Sequence, residues 1–125
     1  MIEKLHDLIG GRDVISAAIR VFYDRVLEDE TLRPFFASTD MARLRAGQGM
    51  FVSMLLGGNV VYMGRDIGAA HVESRSRGLT DAHFNTFLAH FRAALDQVGI
   101  DPDKAERVML LLETKRSTIL GAGTT

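Results

Sequence analysis

Residues 13–29, DVISAAIRVFYDRVLED, decide the fold of this chain. Apolar residues return every three or four positions in this stretch, so they fall on one face of an α-helix. The set is Ile15, Ala18, Ile19, Phe22, Val26 and Leu27. The pair Gly10-Gly11 comes before it and gives the chain a place to turn. The spacing therefore predicts a long amphipathic helix over residues 13–29.

Start and stop signals divide the rest of the chain into further helices. Asp40, Thr80 and Asp101 are each a good N-cap residue in front of an apolar helical pattern. A short turn follows Thr31 and ends at Phe36. The helices predicted in this way span residues 41–56, 65–73, 80–98 and 102–120, and residues 60–64 form an extended connector. Because no segment has a strand partner, the sequence predicts an all-α fold.

Length and charge limit the class of protein. A chain of 125 residues, 46% of them hydrophobic, is expected to form one globular domain over residues 1–125, with a frayed tail at 118–125. Its 15 basic and 16 acidic residues give a net charge of −1, which favours neither nucleic acid nor an anionic membrane as a partner. No apolar run is long enough for stable membrane insertion. The first 20 residues lack a secretory-type apolar stretch, so we expect a cytoplasmic protein.

The chain contains no cysteine. This excludes disulfides, iron–sulfur clusters, thiolate-ligated haem and covalent haem attachment through a Cys-x-x-Cys-His motif. A metal ion would have to be held by histidine, by carboxylates or by a cofactor.

Three polar residues interrupt the apolar pattern. Gln48 shares a helical face with Leu44 and Phe51. Burying an apolar residue there would cost less free energy, so a buried Gln48 needs hydrogen-bond partners. Taken alone, Tyr23 is more often a structural residue of the core. His71 alone is more often a surface residue, or a core residue whose ring nitrogens are hydrogen-bonded. Taken together, they offer an imidazole and a small polar corner in an apolar wall. These are the groups that a haem iron site needs.

Gly47 and Gly49 flank Gln48 inside the second long helix. Each costs about 0.5–1 kcal/mol relative to alanine in a helix interior, so something has to use the space that they leave. One interpretation is a close crossing with another helix. The other is a flat ligand, or a route to it, lying against the backbone.

A series of short motifs, in one order along nearly the whole chain, resembles the truncated haemoglobins of the group I type. The matching pieces are Leu8-Ile9-Gly10-Gly11, Phe22-Tyr23-Asp24-Arg25-Val26-Leu27, Pro34-Phe35-Phe36, Asp40-Met41-Ala42-Arg43-Leu44, Gln48, Phe51, Leu56-Gly57-Gly58, Tyr62-x-Gly64-Arg65, Ala70-His71 and Gly78-Leu79-Thr80-Asp81-Ala82-His83-Phe84. The resemblance implies a truncated globin-like two-over-two helical sandwich around haem, with a very short first helix. Helices 13–29 and 41–56 would cross helices 80–98 and 102–120. The apolar pattern alone would equally allow an up-down bundle.

The resemblance also implies a non-covalent haem b, iron protoporphyrin IX, and a role for each matching residue. His71 would be the iron ligand, and Tyr23 and Gln48 the distal pair that hydrogen-bonds a bound ligand. Leu44 would stand where larger globins place a distal histidine, so it cannot donate. The remaining contacts would come from Phe36 on the haem face, from Phe51, Val52 and Phe84 in the apolar cavity, and from Tyr62 and Arg65 near the haem edge.

At two places the chain departs from the family pattern. By the resemblance, Gly47 stands where some relatives carry a basic residue that contacts a haem propionate, or a histidine that binds the iron as a sixth ligand. Glycine has no side chain to make either contact. The connector from Ser74 to Arg77 lies in a segment of variable length and cannot be assigned residue by residue.

The function that the resemblance implies is reversible binding of O2, CO and NO, with oxidation of NO to nitrate by the bound O2. That reaction would require an electron-donating reductase, and the protein would be a monomer or a weak dimer. An O2 store or a haem-based gas sensor would use the same pocket without turnover. A haem-free helical interaction module would leave Gln48 and His71 as ordinary polar residues.

Overall fold

The computed structural model describes residues 4–58 and 78–120, apart from the side chains of Thr118 and Ile119. Every regular element in these ranges is helical, which confirms the predicted all-α class. In chain order they are α1 (Leu5–Leu8), α2 (Gly11–Glu28), a 3-10 turn (Arg33–Phe36), α3 (Met41–Leu55), α4 (Asp81–Gln97), α5 (Pro102–Glu113) and α6 (Arg116–Leu120). The predicted helix at 65–73 and the connector at 60–64 lie outside the described residues.

Each long helix begins where the sequence offers a start signal. Gly10 and Gly11 have φ of +113° and +76°, a left-handed backbone that opens the way into α2. The Asp40 carboxylate accepts a hydrogen bond from the Arg43 backbone N–H at 3.2 Å at the start of α3. Thr80 begins α4 with a capping box. Asp101 caps α5, with Pro102 in its first turn.

The core forms where α2 packs against both α3 and α4. α4 also packs against α5, and α1 contacts α2 and α5. The apolar face predicted for α2 is buried at Ile15, Ala18, Ile19, Phe22 and Val26. α2 therefore lies between the two other long helices and presents Tyr23 toward their common interior.

The last helix differs from the prediction of one continuous segment over 102–120. The backbone N–H groups of Thr114 and Lys115 donate to the carbonyls three residues earlier, at Leu111 and Leu112, instead of four. The Thr114 hydroxyl donates to the Leu111 carbonyl as well. These bonds tighten the turn where α5 ends at Glu113, and α6 begins at Arg116. α6 includes the first three residues of the segment that was expected to be frayed.

None of the helices within the described ranges is long and apolar enough to cross a membrane.

Candidate functional site

Tyr23 lies on the buried face of α2, and only 4% of its surface is exposed. Its ring packs edge-on against Phe22, with 4.7 Å between ring centroids, and against Phe36, at 5.9 Å. Within residues 4–58 and 78–120, no group forms a hydrogen bond with its hydroxyl. A tyrosine whose ring is buried usually gives its hydroxyl a hydrogen-bond partner, so this hydroxyl is available to a ligand.

Burial raises the pKa of the Tyr23 hydroxyl far above its ordinary value, and the positive charge of Arg45 only partly offsets this. Arg45 itself lies 3.6 Å from the Asp24 carboxylate. Because its pKa is raised, Tyr23 keeps its proton at neutral pH. It is therefore a hydrogen-bond donor and not a phenolate.

α3 supplies a second wall. Leu44 and Gln48 are half-buried, and Phe51 and Val52, about one turn further along the helix, are buried. Leu44 packs against the hydrophobic core. The structure forms no hydrogen bond between Gln48 and Tyr23, the two residues expected to act as a pair. α3 is therefore more deeply buried at Phe51 and Val52 than at Gln48.

The two glycines beside Gln48 face no other described side chain or helix. A Cβ atom built on Gly47 or Gly49 would have no heavy atom of the described residues within 4 Å outside the immediate helix backbone. Among residues 4–58 and 78–120, no helix therefore crosses α3 closely at this point. A flat group lying along α3 is consistent with this arrangement.

Phe36 comes from the 3-10 turn between α2 and α3. Its ring meets Phe87 of α4 edge-on, with 6.0 Å between centroids, in addition to its contact with Tyr23. Phe35, its neighbour, packs against Phe87 and against the His83 ring. The turn therefore brings Phe36 into contact with both Tyr23 of α2 and Phe87 of α4.

Phe84 is buried near the start of α4, and one face of its ring is covered by a cation. The Arg116 guanidinium carbon lies 4.6 Å from the Phe84 ring centroid. Arg116 also donates hydrogen bonds to Asp81, Asn85 and Glu113. Sequence analysis missed this contact because Arg116 follows a helix break that has no glycine or proline to mark it.

The other site residues expected from the sequence, Tyr62, Arg65 and His71, lie outside the described residues. Within the described ranges, no group of three or more histidine, aspartate or glutamate side chains could hold a metal ion.

The helical fold and the comparison with known proteins define the class to which the chain belongs. The chain belongs to the bacterial-like globins, whose family model matches residues 4–120. Within that class it is a truncated haemoglobin of the group 1 type, with the two-over-two helical fold, and not an up-down bundle. Globins bind haem and, through it, diatomic gases such as O2.

Curated relatives support this assignment. The chain is 36% identical over 102 residues to the group 1 truncated haemoglobin of Synechocystis sp., covering 81% of this chain and 82% of that protein. It is 30% identical to the group 1 truncated haemoglobin of Tetrahymena pyriformis, covering 95% of this chain and 96% of the other. The match to a Chlamydomonas moewusii relative, at 32% identity, covers 90% of this chain but only 65% of that longer protein.

Solved structures agree in fold. The 2/2 haemoglobin of Synechococcus sp., crystallised in the cyanomet state with covalently attached haem, superposes with a TM-score of 0.90 at 30% identity, over 95% of this chain and 99% of that one. The truncated haemoglobin of Tetrahymena pyriformis in its Fe(III) form gives a TM-score of 0.88 at 30% identity, over 94% and 98%.

The described residues fit a haem. A flat apolar group needs aromatic and aliphatic walls, which Phe36, Leu44 and Phe51 supply, and room beside the backbone, which Gly47 and Gly49 leave. A small polar ligand on that group needs a donor, and Tyr23 carries a neutral one without a partner among the described residues.

Alanine substitutions can test the surroundings of Gly47 on α3. We expect Gly47→Ala to stabilise the haem-free protein by about 0.5–1 kcal/mol, because the added methyl meets no atom of the described residues and alanine is the better helix former. The contrasting change is Gly58→Ala, whose Cβ would lie 2.6 Å from the His6 ring and 2.8 Å from the Ser53 carbonyl oxygen. That variant should be destabilised by about 1–3 kcal/mol. Urea unfolding measures both, and a comparable loss in the two variants would show that Gly47 faces packed atoms.

Proposed function

We propose that this chain binds haem b non-covalently through His71, and that Tyr23 and Gln48 hold a diatomic gas on it while NO is oxidised to nitrate by bound O2. The observation that carries the proposal is the hydroxyl of the buried Tyr23, which is neutral and has no hydrogen-bond partner among the described residues. Where the other side chains of a site are apolar, such a donor can form a hydrogen bond only with a polar ligand.

The engagement of the other histidines supports His71 as the iron ligand. The chain has four histidines. His6 pairs with Asp7 at 2.8 Å, His90 with Asp29 at 2.8 Å, and His83 takes part in the capping box with Thr80. The remaining ring nitrogens of His6 and His90 are buried inside the protein. These contacts engage the other three histidines, so we assign the role of iron ligand to His71, in the motif Ala70-His71.

His71 would hold the haem, and the haem iron would supply the binding of a diatomic gas. Tyr23 would donate a hydrogen bond to that gas, which would slow its escape when it carries partial negative charge, as O2 does. Gln48 orients Tyr23 or adds a second, weaker contact. Leu44 has no donor, and Gly47 offers no group that could compete for the iron.

The apolar residues keep water from the ligand. Phe36, Phe51, Val52 and Phe84 surround the pocket with rings and methyl groups, and Tyr62 and Arg65 are proposed to contact the haem edge. Exclusion of water strengthens the Tyr23 hydrogen bond, because the local dielectric is low. Repeated oxidation of NO requires one electron per turnover, so an electron-donating reductase is part of the proposal.

The distal residues can be tested by O2 release. Tyr23→Phe removes one hydroxyl and keeps the ring, so it should weaken O2 binding by about 1.5–3 kcal/mol, or roughly 10- to 100-fold. Most of that change should appear as faster O2 dissociation in stopped-flow mixing. CO release should change much less, because bound CO carries less negative charge. Gln48→Leu should have a smaller effect, and the double variant should fall short of the sum of the two. An unchanged O2 dissociation rate in Tyr23→Phe would refute the distal mechanism.

Mixing the oxygenated protein with NO tests the reaction. We expect rapid oxidation with one nitrate formed for each haem, and repeated turnover when a reductant is supplied. If wild-type protein forms nitrate once and no cellular reductase restores it, an O2 store or gas sensor is the better description. If the purified protein takes up no haem at all, the chain is a helical interaction module.

A further inference from the structure

Asp29 begins the turn that leads from α2 to Phe36. One of its carboxylate oxygens accepts hydrogen bonds from the backbone N–H groups of Thr31, at 2.9 Å, and of Leu32, at 3.4 Å. Its own carbonyl accepts from Leu32, at 3.2 Å, and from Arg33, at 2.8 Å. Leu32 is fully buried. Asp29 thus orders the backbone from the first residue of the turn to the start of the 3-10 segment.

The other carboxylate oxygen of Asp29 reaches α4. It lies 2.8 Å from Nε2 of His90, a residue 61 positions away in sequence. The two side chains are only 21% and 18% exposed. Pairs of this kind, hydrogen-bonded and mostly shielded from water, are stronger than ordinary surface ion pairs.

The same face of α4 holds the far end of the turn. Phe87, one helical turn before His90, contacts both Phe35 and Phe36, with ring centroids 6.4 and 6.0 Å apart. The turn is therefore attached to α4 at both ends: by a hydrogen bond at Asp29 and by aromatic packing at Phe36. Because the Phe36 ring also packs edge-on against the Tyr23 ring, a shift of the turn would change the packing of the Tyr23 ring.

We infer that Asp29 and His90 are positioning residues for the distal pocket: their hydrogen bond fixes the turn, and through Phe36 it sets the orientation of Tyr23. This inference rests on the proposed function, because Tyr23 is the ligand-binding residue that it concerns. The hydrogen bond from His90, followed by that from the Thr31 N–H, lowers the pKa of Asp29, so the carboxylate stays ionised at neutral pH.

Four single variants separate positioning from simple stabilisation. His90→Leu removes the donor at similar volume, and His90→Gln keeps an N–H that can reach the carboxylate. Asp29→Ser keeps a short acceptor for the Thr31 N–H but cannot reach His90, so it breaks the same link by a different change. The matched control is Asp96→Asn, which breaks the 3.3 Å pair with Arg92 on the same helix.

Two measurements on the haem-loaded protein decide the question. The first is the nuclear Overhauser contact between the Tyr23 and Phe36 rings in the CO-bound state, which reports geometry independently of activity. The second is the O2 dissociation rate. In His90→Leu and Asp29→Ser we expect the ring contact to weaken and O2 to leave about three- to tenfold faster, a part of the effect of removing the hydroxyl itself. His90→Gln and Asp96→Asn should stay within about twofold of wild type.

A double variant tests the route. In the Tyr23→Phe background, His90→Leu should cause no further acceleration, because the group that it positions is gone. If His90→Leu and Asp29→Ser lower the unfolding midpoint but leave the ring contact and the O2 rate unchanged, the pair is structural only and the inference is overturned, while the proposed function stands. Equal acceleration with and without the Tyr23 hydroxyl would overturn it too. If Tyr23→Phe alone leaves O2 release unchanged, the proposed distal mechanism fails, and the ring contact still shows whether the pair positions Tyr23.

Discussion

The hydroxyl of Tyr23, a tyrosine whose ring is buried among aromatic side chains, is the constraint on which the site depends. A buried tyrosine usually gives its hydroxyl a hydrogen-bond partner, and no described residue supplies one here. Desolvation raises the pKa of Tyr23, so the hydroxyl keeps its proton at neutral pH. A haem-bound gas with partial negative charge would supply the partner in the proposed function. The donor that has no partner among the described residues is thus the group that would hold the ligand.

The elements that pack around the Tyr23 ring fix its position. α2 carries Tyr23 between α3 and α4, and the aromatic contacts of Phe36 tie the neighbouring turn to both α2 and α4. α3 packs into the core at Phe51, whereas no described atom lies within 4 Å of a Cβ atom built on Gly47. Rigid packing on one side and space on the other are what a cofactor pocket in a small helical domain requires.

Local signals made most of the fold predictable. The apolar spacing of residues 13–29 and the caps at Asp40, Thr80 and Asp101 depend on neighbours within one or two helical turns, so the sequence locates α2, α3, α4 and the start of α5 to within about two residues. The family resemblance, carried by motifs in one order, is confirmed. The break after Glu113 depends on a side chain bonding to its own backbone. The Asp29–His90 and Arg116–Phe84 contacts join residues far apart in sequence, and no periodicity reveals such pairs. The spacing of Gly47 and Gly49 in α3 did not distinguish a close helix crossing from a flat ligand, because both leave the same glycines in the sequence.

The visible spectrum of the reduced protein, with and without CO, tests the central claim most directly when wild type and His71→Ala are compared after loading with haem. The wild type should show an intense Soret band, of the five-coordinate high-spin kind, that shifts on adding CO. His71→Ala should retain less haem and lose that spectrum, because its strong protein–iron bond is gone. No Soret band in the wild type, a bis-histidine spectrum at neutral pH, or an unchanged haem content and reduced spectrum in His71→Ala would contradict the account.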